Sequence, residues 1–242
     1  MTNDWTKISD DPNNSKAKAA VRALLPRLRQ VHTDTDLTGF VQRAASGKRV
    51  LDIGVVSHSA RYFDDPGWRH GPIAKAAAYC LGLDILEPLV KELQDRGFNV
   101  RCADATSSED LGERFDVVFI GDVIEHVDNP SALLRFGARH LAPGGQLLVA
   151  TPNPFSRKVI LQFFRQGVMV VNLDHMAWFT PTMALELARR EGLEFKAYHL
   201  LKPMGGFRLA LKKLSWRLGL RPVEYSFSDY LFEFSSLDKA PF

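Results

Sequence analysis

Cysteine is scarce here. Only Cys80 and Cys102 occur in 242 residues. Two thiols exclude a disulfide framework, and nothing near them has the spacing of a zinc site. Both lie in apolar segments read as neighbouring strands, so two buried free thiols are expected. Charge of one sign is also scarce. The net charge is +3, a modest excess that usually reflects a solvated surface rather than a nucleic-acid footprint. No apolar run approaches the roughly 18 residues of a membrane span. The opening, MTNDWTKISDDPNNSK, is polar and lacks the apolar core of a secretory signal. A soluble, cytoplasmic protein is the expectation. What is present is an ordinary globular composition, 45% hydrophobic and 24% charged. The length suits one large domain or a domain with a small appendage.

The stretch KRVLDIG, Lys48 to Gly54, reads as a buried parallel strand: Val50, Leu51 and Ile53 are apolar, and Gly54 ends the run. Asp52 interrupts it, and a carboxylate is unusual in such a place. Ligands of open α/β sheets bind outside the carboxyl ends of the strands, so this strand should border a cofactor crevice.

Upstream, residues 1 to about 15 read as a loose polar tail. Lys16 to Val31 has helical periodicity, interrupted by Pro26. Thr35 to Ala45 reads as a second short helix. Downstream of Gly54 comes a long connection, then a helix over Gly71 to Ala78. Tyr79 to Asp84 is the next strand, and Pro88 to Arg96 a helix stopped by Gly97. Phe98 to Ala103 and Phe115 to Ile120 are the third and fourth strands. Asn129 or Asp128 caps a helix from Pro130 to His140. Pro143, Gly144 and Gly145 turn the chain into a fifth strand, Gln146 to Ala150. Strands alternating with helices at short intervals signify a doubly wound, mostly parallel sheet. Further on, Arg157 to Arg165 is a helix. Another, capped by Thr180 and opened by Pro181, ends at Gly192. Glu194 to Leu200 and Tyr230 to Ser235 are strands. Phe207 to Leu218 is a basic amphipathic segment containing Arg208, Lys212, Lys213 and Arg217.

Asp52, Asp84 and Asp104 each stand at or near the end of a successive strand. Any one of them could be an incidental loop acid, but three in register are less easily ascribed to chance. An acid after the second strand is placed to accept hydrogen bonds from two ribose hydroxyls. Asp104 can accept from an exocyclic adenine amine. The G-x-G-x-x-G spacing that would bring backbone amides to a pyrophosphate is missing after Gly54. The site therefore suits a nucleoside without a diphosphate, and a nicotinamide-dependent oxidoreductase is set back.

Taken together these segments resemble the class I S-adenosylmethionine-dependent methyltransferases. VLDIG matches their first motif, GLDILEP the second and CADA the third. FDVVFIGDVIEHVDNP and LAPGGQLLVATPNP match the fourth and fifth strands, close to the ubiquinone-type O-methyltransferase group, and HMAWFTPTMALELARREGLEF resembles the segment that follows. The resemblance spans roughly residues 40 to 200. It implies a Rossmann-like, seven-stranded sheet with an antiparallel last strand, which suits Tyr230 to Ser235. It also implies N-terminal helices over residues 1–45 covering the site and a methyltransferase domain over 46–242. S-adenosyl-L-methionine is the implied cofactor. Its implied contacts are Asp52, Gly54, Val56, His58, Asp84, Ile85, Asp104, Ala105 and Gly121.

The departure lies in the first motif, D-x-G-x-G-x-G in the family. Val56 and His58 stand at the second and third glycine positions, where a Cβ could crowd the cofactor's amino acid moiety. The longer loop to Trp68 and His70 is expected to take a different path.

Methyl transfer to oxygen needs alignment, exclusion of water and a base near the fourth strand. The catalytic candidates are Asp122, Glu125, His126 and His175. The D-x-x-E-H spacing also resembles the E-x-x-E-H magnesium ligands of some small-RNA and ubiquinone methyltransferases. The alternative is that Glu125 and His126 simply orient the loop before Pro130, and no metal is assigned. His199, inside an apolar strand, is expected to be structural. The stretch FRLALKKLSWRLGL either packs on its own sheet or touches a membrane surface through residues 207–218.

The expectation is a methyltransferase acting at an oxygen of a small or medium-sized polar acceptor. That acceptor is a small molecule or a glycan- or lipid-linked one rather than nucleic acid. Residues 1–45, 55–71 and 152–180 are expected to form its pocket. The alternative is a catalytically inactive, methyltransferase-like binding or scaffold subunit, motivated by the altered glycine loop.

Overall fold

The computed structural model describes residues 4–237. The chain runs α1 (Ser15–Leu28), β1 (Arg29–His32), α2 (Leu37–Ala45), β2 (Arg49–Ile53), α3 (His70–Ala76), β3 (Tyr79–Asp84), α4 (Glu87–Asp95) and β4 (Val100–Cys102). It continues through β5 (Phe115–Gly121), α5 (Pro130–Arg139), β6 (Leu141–Pro152), α6 (Arg157–Gln166), α7 (Pro181–Arg190), β7 (Leu193–Leu201), α8 (Gly206–Arg217) and β8 (Asp229–Ser236). One sheet takes all eight strands in the order β1-β7-β8-β6-β5-β2-β3-β4. Only β8 is antiparallel to its neighbours, β6 and β7.

The doubly wound expectation holds, with one strand more than the seven implied. The eighth is β1, which pairs in parallel with β7 through Gln30 and His199. The helix expected to run to Val31 therefore stops at Leu28 with Pro26 inside its last turn, and Val31 lies in the edge strand. Proline removes an amide from the helix ladder near the point where the chain turns extended.

The N-terminal segment is also more ordered than a loose tail. Residues Trp5–Lys7 form a short 3-10 turn capped by Asp4. The Trp5 indole N–H donates to Glu186 of α7 at 2.9 Å, and Arg189 stacks on its ring. Met1 to Asn3 of that expected tail lie outside the described residues.

The central strands read as near-continuous apolar runs because both faces are covered. On one face Leu51, Val118, Ile120, Leu147 and Phe232 are buried with α5 and α7. On the other, Val50, Val117, Phe119 and Leu148 meet α2 and α3. Asn129 caps α5 by accepting from the Ala132 amide, and Thr180 caps α7 by accepting from Met183. Cys80 and Cys102 are free, but neither is buried as expected: Cys80 is half-buried and Cys102 is exposed. Its strand β4 is the sheet edge and only three residues long, so one of its faces lacks cover. His199 is structural as expected, held between His32 Nε2 at 3.1 Å and Glu233 Oε2 at 2.9 Å. Among the described residues no helix is long and apolar enough to cross a membrane.

Candidate active site

The carboxyl ends of β2, β3, β4 and β5 lie side by side because those strands are parallel neighbours. At the end of β2 the chain turns through Gly54, whose φ is +88°. A Cβ there would stand 2.3 Å from Val123 Cγ2, so only glycine fits. The Gly54 amide donates to Leu83 O at 2.9 Å. Two residues later the Val56 amide donates to Asp84 Oδ2 at 3.0 Å. This contact ties the first motif to the second.

The loop beyond does fold along its own path. Residues Ala60–Asp64 form a 3-10 turn. The Trp68 indole then returns to donate to Val55 O at 2.8 Å, and Val55, Phe63, Val90, Leu93 and Val100 form a small core beneath. His58 adopts φ +55°. The position of the third glycine thus keeps the left-handed backbone that a glycine takes freely, while a histidine bears the strain.

Asp84 and Asp104 both stand at the rim. Both oxygens of Asp84 accept backbone amides, from Val56 and from Leu86 at 3.1 Å. Burial pushes its carboxyl above the usual range, against the pull of those amides. Ile85 beside it is exposed. Asp104 is exposed and accepts from the amide and hydroxyl of Thr106, each at 2.7 Å. Ala105 is buried next to it. Asp52 differs from the other two. It is 3% exposed, and its Oδ2 lies 2.8 Å from Nδ1 of His70, itself 2% exposed. His70 is the first residue of α3, so Asp52 is turned beneath the rim toward a helix instead of into the crevice. Gly82 on the adjacent strand makes room for this pair: a Cβ there would stand 2.9 Å from the imidazole.

The end of β5 carries the other half of the site. Gly121 is buried, and Asp122 follows at φ +54°, a conformation aspartate tolerates better than most residues. Asp122 Oδ2 forms a short ion pair with Arg69, the residue before His70. Burial alone would lower the Arg69 guanidinium, but the Asp122 carboxylate outweighs it and the group is held above its usual range. Glu125 is buried, with Oε2 accepting from Thr151 at 3.2 Å. Burial, reinforced by the Asp122 charge, raises its carboxyl to about 8. Its backbone carbonyl accepts the Met176 amide at 2.7 Å, which anchors the 172–179 segment over β5.

That anchor brings distant histidines together. His126 and His175 meet edge to face with centroids 4.7 Å apart, and His58 approaches His126 at 5.9 Å. Asp174 Oδ2 lies 3.2 Å from His126 Nδ1, within ion-pair reach. Burial and the neighbouring His126 both lower the His175 imidazole, favouring its neutral form. Asp122 Oδ1, Glu125 Oε1 and His175 Nδ1 are buried and have no hydrogen-bond partner among the described residues.

All four catalytic candidates therefore converge, but not as the D-x-x-E-H spacing suggested. Asp122 is engaged with Arg69. Glu125 instead groups with His126 and His175, each offering one ligand atom within 4.8 Å of the others. Two imidazoles and one carboxylate suit a borderline metal better than magnesium. The same three groups can equally hold and pass a proton. An apolar cavity of about 660 Å³ adjoins from the α7 side, lined by Val127, Met176, Phe179, Met183 and Leu187 among others; none of the four candidates lines it.

Three functional neighbours were not foreseen. Arg69 ends the loop after the first motif, His70 opens α3, and Asp174 precedes His175. The only signal was their placement beside residues already singled out.

Comparison with known proteins agrees with this geometry. The sequence pattern of a family described as a methyltransferase domain matches residues 27–197. A ubiquinone biosynthesis O-methyltransferase from Ruegeria pomeroyi is 29% identical over 181 residues, covering 69% of this chain and 68% of that protein. Its namesake from Aeromonas salmonicida is 26% identical over 189 residues, covering 72% and 71%. A methyltransferase from Streptomyces caelestis shares the fold with a TM-score of 0.55 at 15% identity, over 82% of this chain and 87% of its own. Magnesium protoporphyrin IX methyltransferase from Synechocystis, solved with bound SAH, does so at 0.53 and 16% identity, over 96% and 93%.

Proposed function

The chain belongs to the methyltransferase-domain family, and we propose that it moves a methyl group from S-adenosylmethionine to an oxygen of a small or medium-sized polar acceptor. The observation that carries this reading is the convergence of three unsatisfied buried polar atoms, on Asp122, Glu125 and His175, beside a rim of strand-end acids. Buried polar groups without partners are rare, and each calls for an explanation. Here an acceptor hydroxyl and its proton would supply the missing partners. The names of the relatives, ubiquinone biosynthesis O-methyltransferase, favour oxygen over nitrogen or carbon.

When bound, the cofactor supplies a methyl carbon activated by a sulfonium; the protein's own residues do the rest. Asp84 would accept from the two ribose hydroxyls, its side chain already oriented by the Val56 and Leu86 amides. Ile85, Asp104 and Ala105 would hold the adenine. The backbone of Gly54, Val56, His58 and Gly121 would hold the amino acid end. Asp52 is a positioning residue that holds His70, and with it the start of α3 beside Arg69. Residues from 4–45 cover the acceptor side together with the 172–180 segment.

On the acceptor side, His126 takes the hydroxyl proton as general base. Asp174 fixes its tautomer and stabilises the imidazolium that forms. Glu125, protonated at neutral pH, offers an O–H to orient the acceptor, and neutral His175 closes the wall. Arg69 holds Asp122 in an ion pair, out of this exchange.

Titration with S-adenosylhomocysteine by calorimetry tests the cofactor half. Binding is expected, and Asp84→Asn should weaken it about 10- to 100-fold, the value of hydrogen bonds to a charged group. A folded protein that ignores the ligand would sink the proposal. Unchanged affinity in the variant would remove Asp84 from its role. Turnover with any member of a panel of hydroxylated aromatic and sugar acceptors tests the other half. Methylation confined to amines would move the reaction away from oxygen.

A further inference from the structure

Two surface helices carry side chains that the fold itself does not use. Neither α6 nor α8 has a buried side chain among those described, although most helices in proteins owe their stability to a buried face. In α8, Trp216 turns inward, ringed with Phe227 at 6.0 Å. Phe207, Leu211, Leu214 and Leu218 stand at spacings of four, three and four, which stacks them on one stripe. All four are more than half exposed, Phe207 by 76%. The chain from α6 onward repeats the pattern: Phe164 is 77% exposed, Val168 60% and Leu173 94%. Scattered apolar side chains are ordinary on a surface; a whole helix stripe facing away from the body is not.

The charge around these side chains is one-sided. Residues 155–173 and 202–223 contain no Asp or Glu. They hold nine of the 31 Lys and Arg, leaving 22 against 28 acids elsewhere. Lys213 and Arg217 are exposed and flank the α8 stripe, as Lys158 and Arg165 are on α6.

The two elements also belong to one rim. α6 follows β6 and α8 follows β7, parallel strands whose carboxyl ends point the same way. Asn153, just before α6, donates to Glu224 O and Phe227 O at 2.9 Å each, just after α8. The active-site strands end at that same rim.

We propose that α6 with its following segment and α8 together form a docking surface for an anionic lipid bilayer. The apolar stripes enter the headgroup boundary, and the cations meet lipid phosphates. Complementarity of charge selects this occupant: a second copy of the chain would oppose cations to cations. The surface is independent of the methyl-transfer reading, and its test does not use the cofactor.

The experiment is co-sedimentation of the full chain with vesicles. One set is phosphatidylcholine alone; the other contains roughly one-third phosphatidylglycerol, a strongly anionic surface. The protein should pellet with the anionic set, stay in solution with the neutral one, and be released as salt rises. Phe207→Ser with Leu211→Ser, and separately Phe164→Ser with Val168→Ser, should each lower partitioning about tenfold or more. Lys213→Gln should lower it about fivefold. Melting curves should stay at wild-type values, separating lost docking from lost folding. The proposal is overturned if the chain ignores anionic vesicles, binds both sets equally, or binds unchanged in both paired variants. It is also overturned if the chain is a dimer that the α8 pair dissociates, for then a second copy covers the stripe.

Discussion

Asp52 and His70 meet inside the protein with Oδ2 and Nδ1 2.8 Å apart, the carboxylate in β2 and the imidazole at the first turn of α3. They lie eighteen positions apart in sequence. Their contact fixes where α3 begins, and Arg69 and its partner Asp122 follow from it. Removing the imidazole leaves a carboxylate buried without its partner. His70→Ala should therefore cost about 2–4 kcal/mol of stability. Denaturant unfolding checks this through a fall in the midpoint at constant slope. A loss no larger than that of an exposed histidine would show that the pair is incidental.

The general base is addressed by kinetics. His126→Ala should lower kcat by a factor of about 10² to 10⁴, the usual range for a general base, and leave S-adenosylhomocysteine affinity within error. Asp174→Asn should lower kcat less, because it removes an orienting charge while the imidazole stays. An equal loss of cofactor affinity in either variant would reassign the pair to binding.

Glu125 carries a dependence on pH whose sign follows from its shift. Its folded value, about 8, lies above the 4.5 of a free glutamate. Below pH 4.5 the group is protonated in both folded and unfolded chains and costs nothing. Between 4.5 and 8 only the unfolded chain loses the proton, so stability falls as pH rises, and above 8 the penalty is complete. Glu125→Gln should melt with the wild type near pH 4.5 and above it near pH 9, by up to about 5 kcal/mol. A gap that does not change with pH would contradict the assignment.

His58 at φ +55° gives a backbone prediction. His58→Gly relieves a left-handed strain of about 1 kcal/mol, partly offset by a more flexible unfolded chain. Stability should therefore stay level or rise by up to about 1 kcal/mol. S-adenosylhomocysteine should bind at least as well, because the loop keeps its path without a Cβ at the amino acid end. A variant less stable by about 1 kcal/mol or more would mean that the His58 side chain, 3.9 Å from Asp174, holds the loop.

The alternation of apolar runs with capped helices was readable from residue order, since a strand or helix announces itself over a few neighbouring positions. Tyr79–Asp84 and the Thr180 and Asn129 caps are of that kind. β1 was not, because Arg29–His32 becomes a strand only by pairing with β7, about 170 residues away. The same division runs through the site. Its acids and histidines were individually visible as polar residues at strand ends and after β5. Their pairing was not, because Arg69 with Asp122, and Asp174 with His126, depend on how two long loops return to the sheet.

The sequence by itself determined the layered sheet, the rim where its parallel strands end, and the aspartates that stand along that rim, because each rests on local periodicity and short caps. Only the tertiary structure decided that Asp52 turns inward to His70, that Glu125 is buried between charges, and that three histidines share one wall. Those outcomes depend on loop paths held by single long-range contacts, such as Trp68 to Val55 and Met176 to Glu125, and no local pattern encodes the meeting of their two ends.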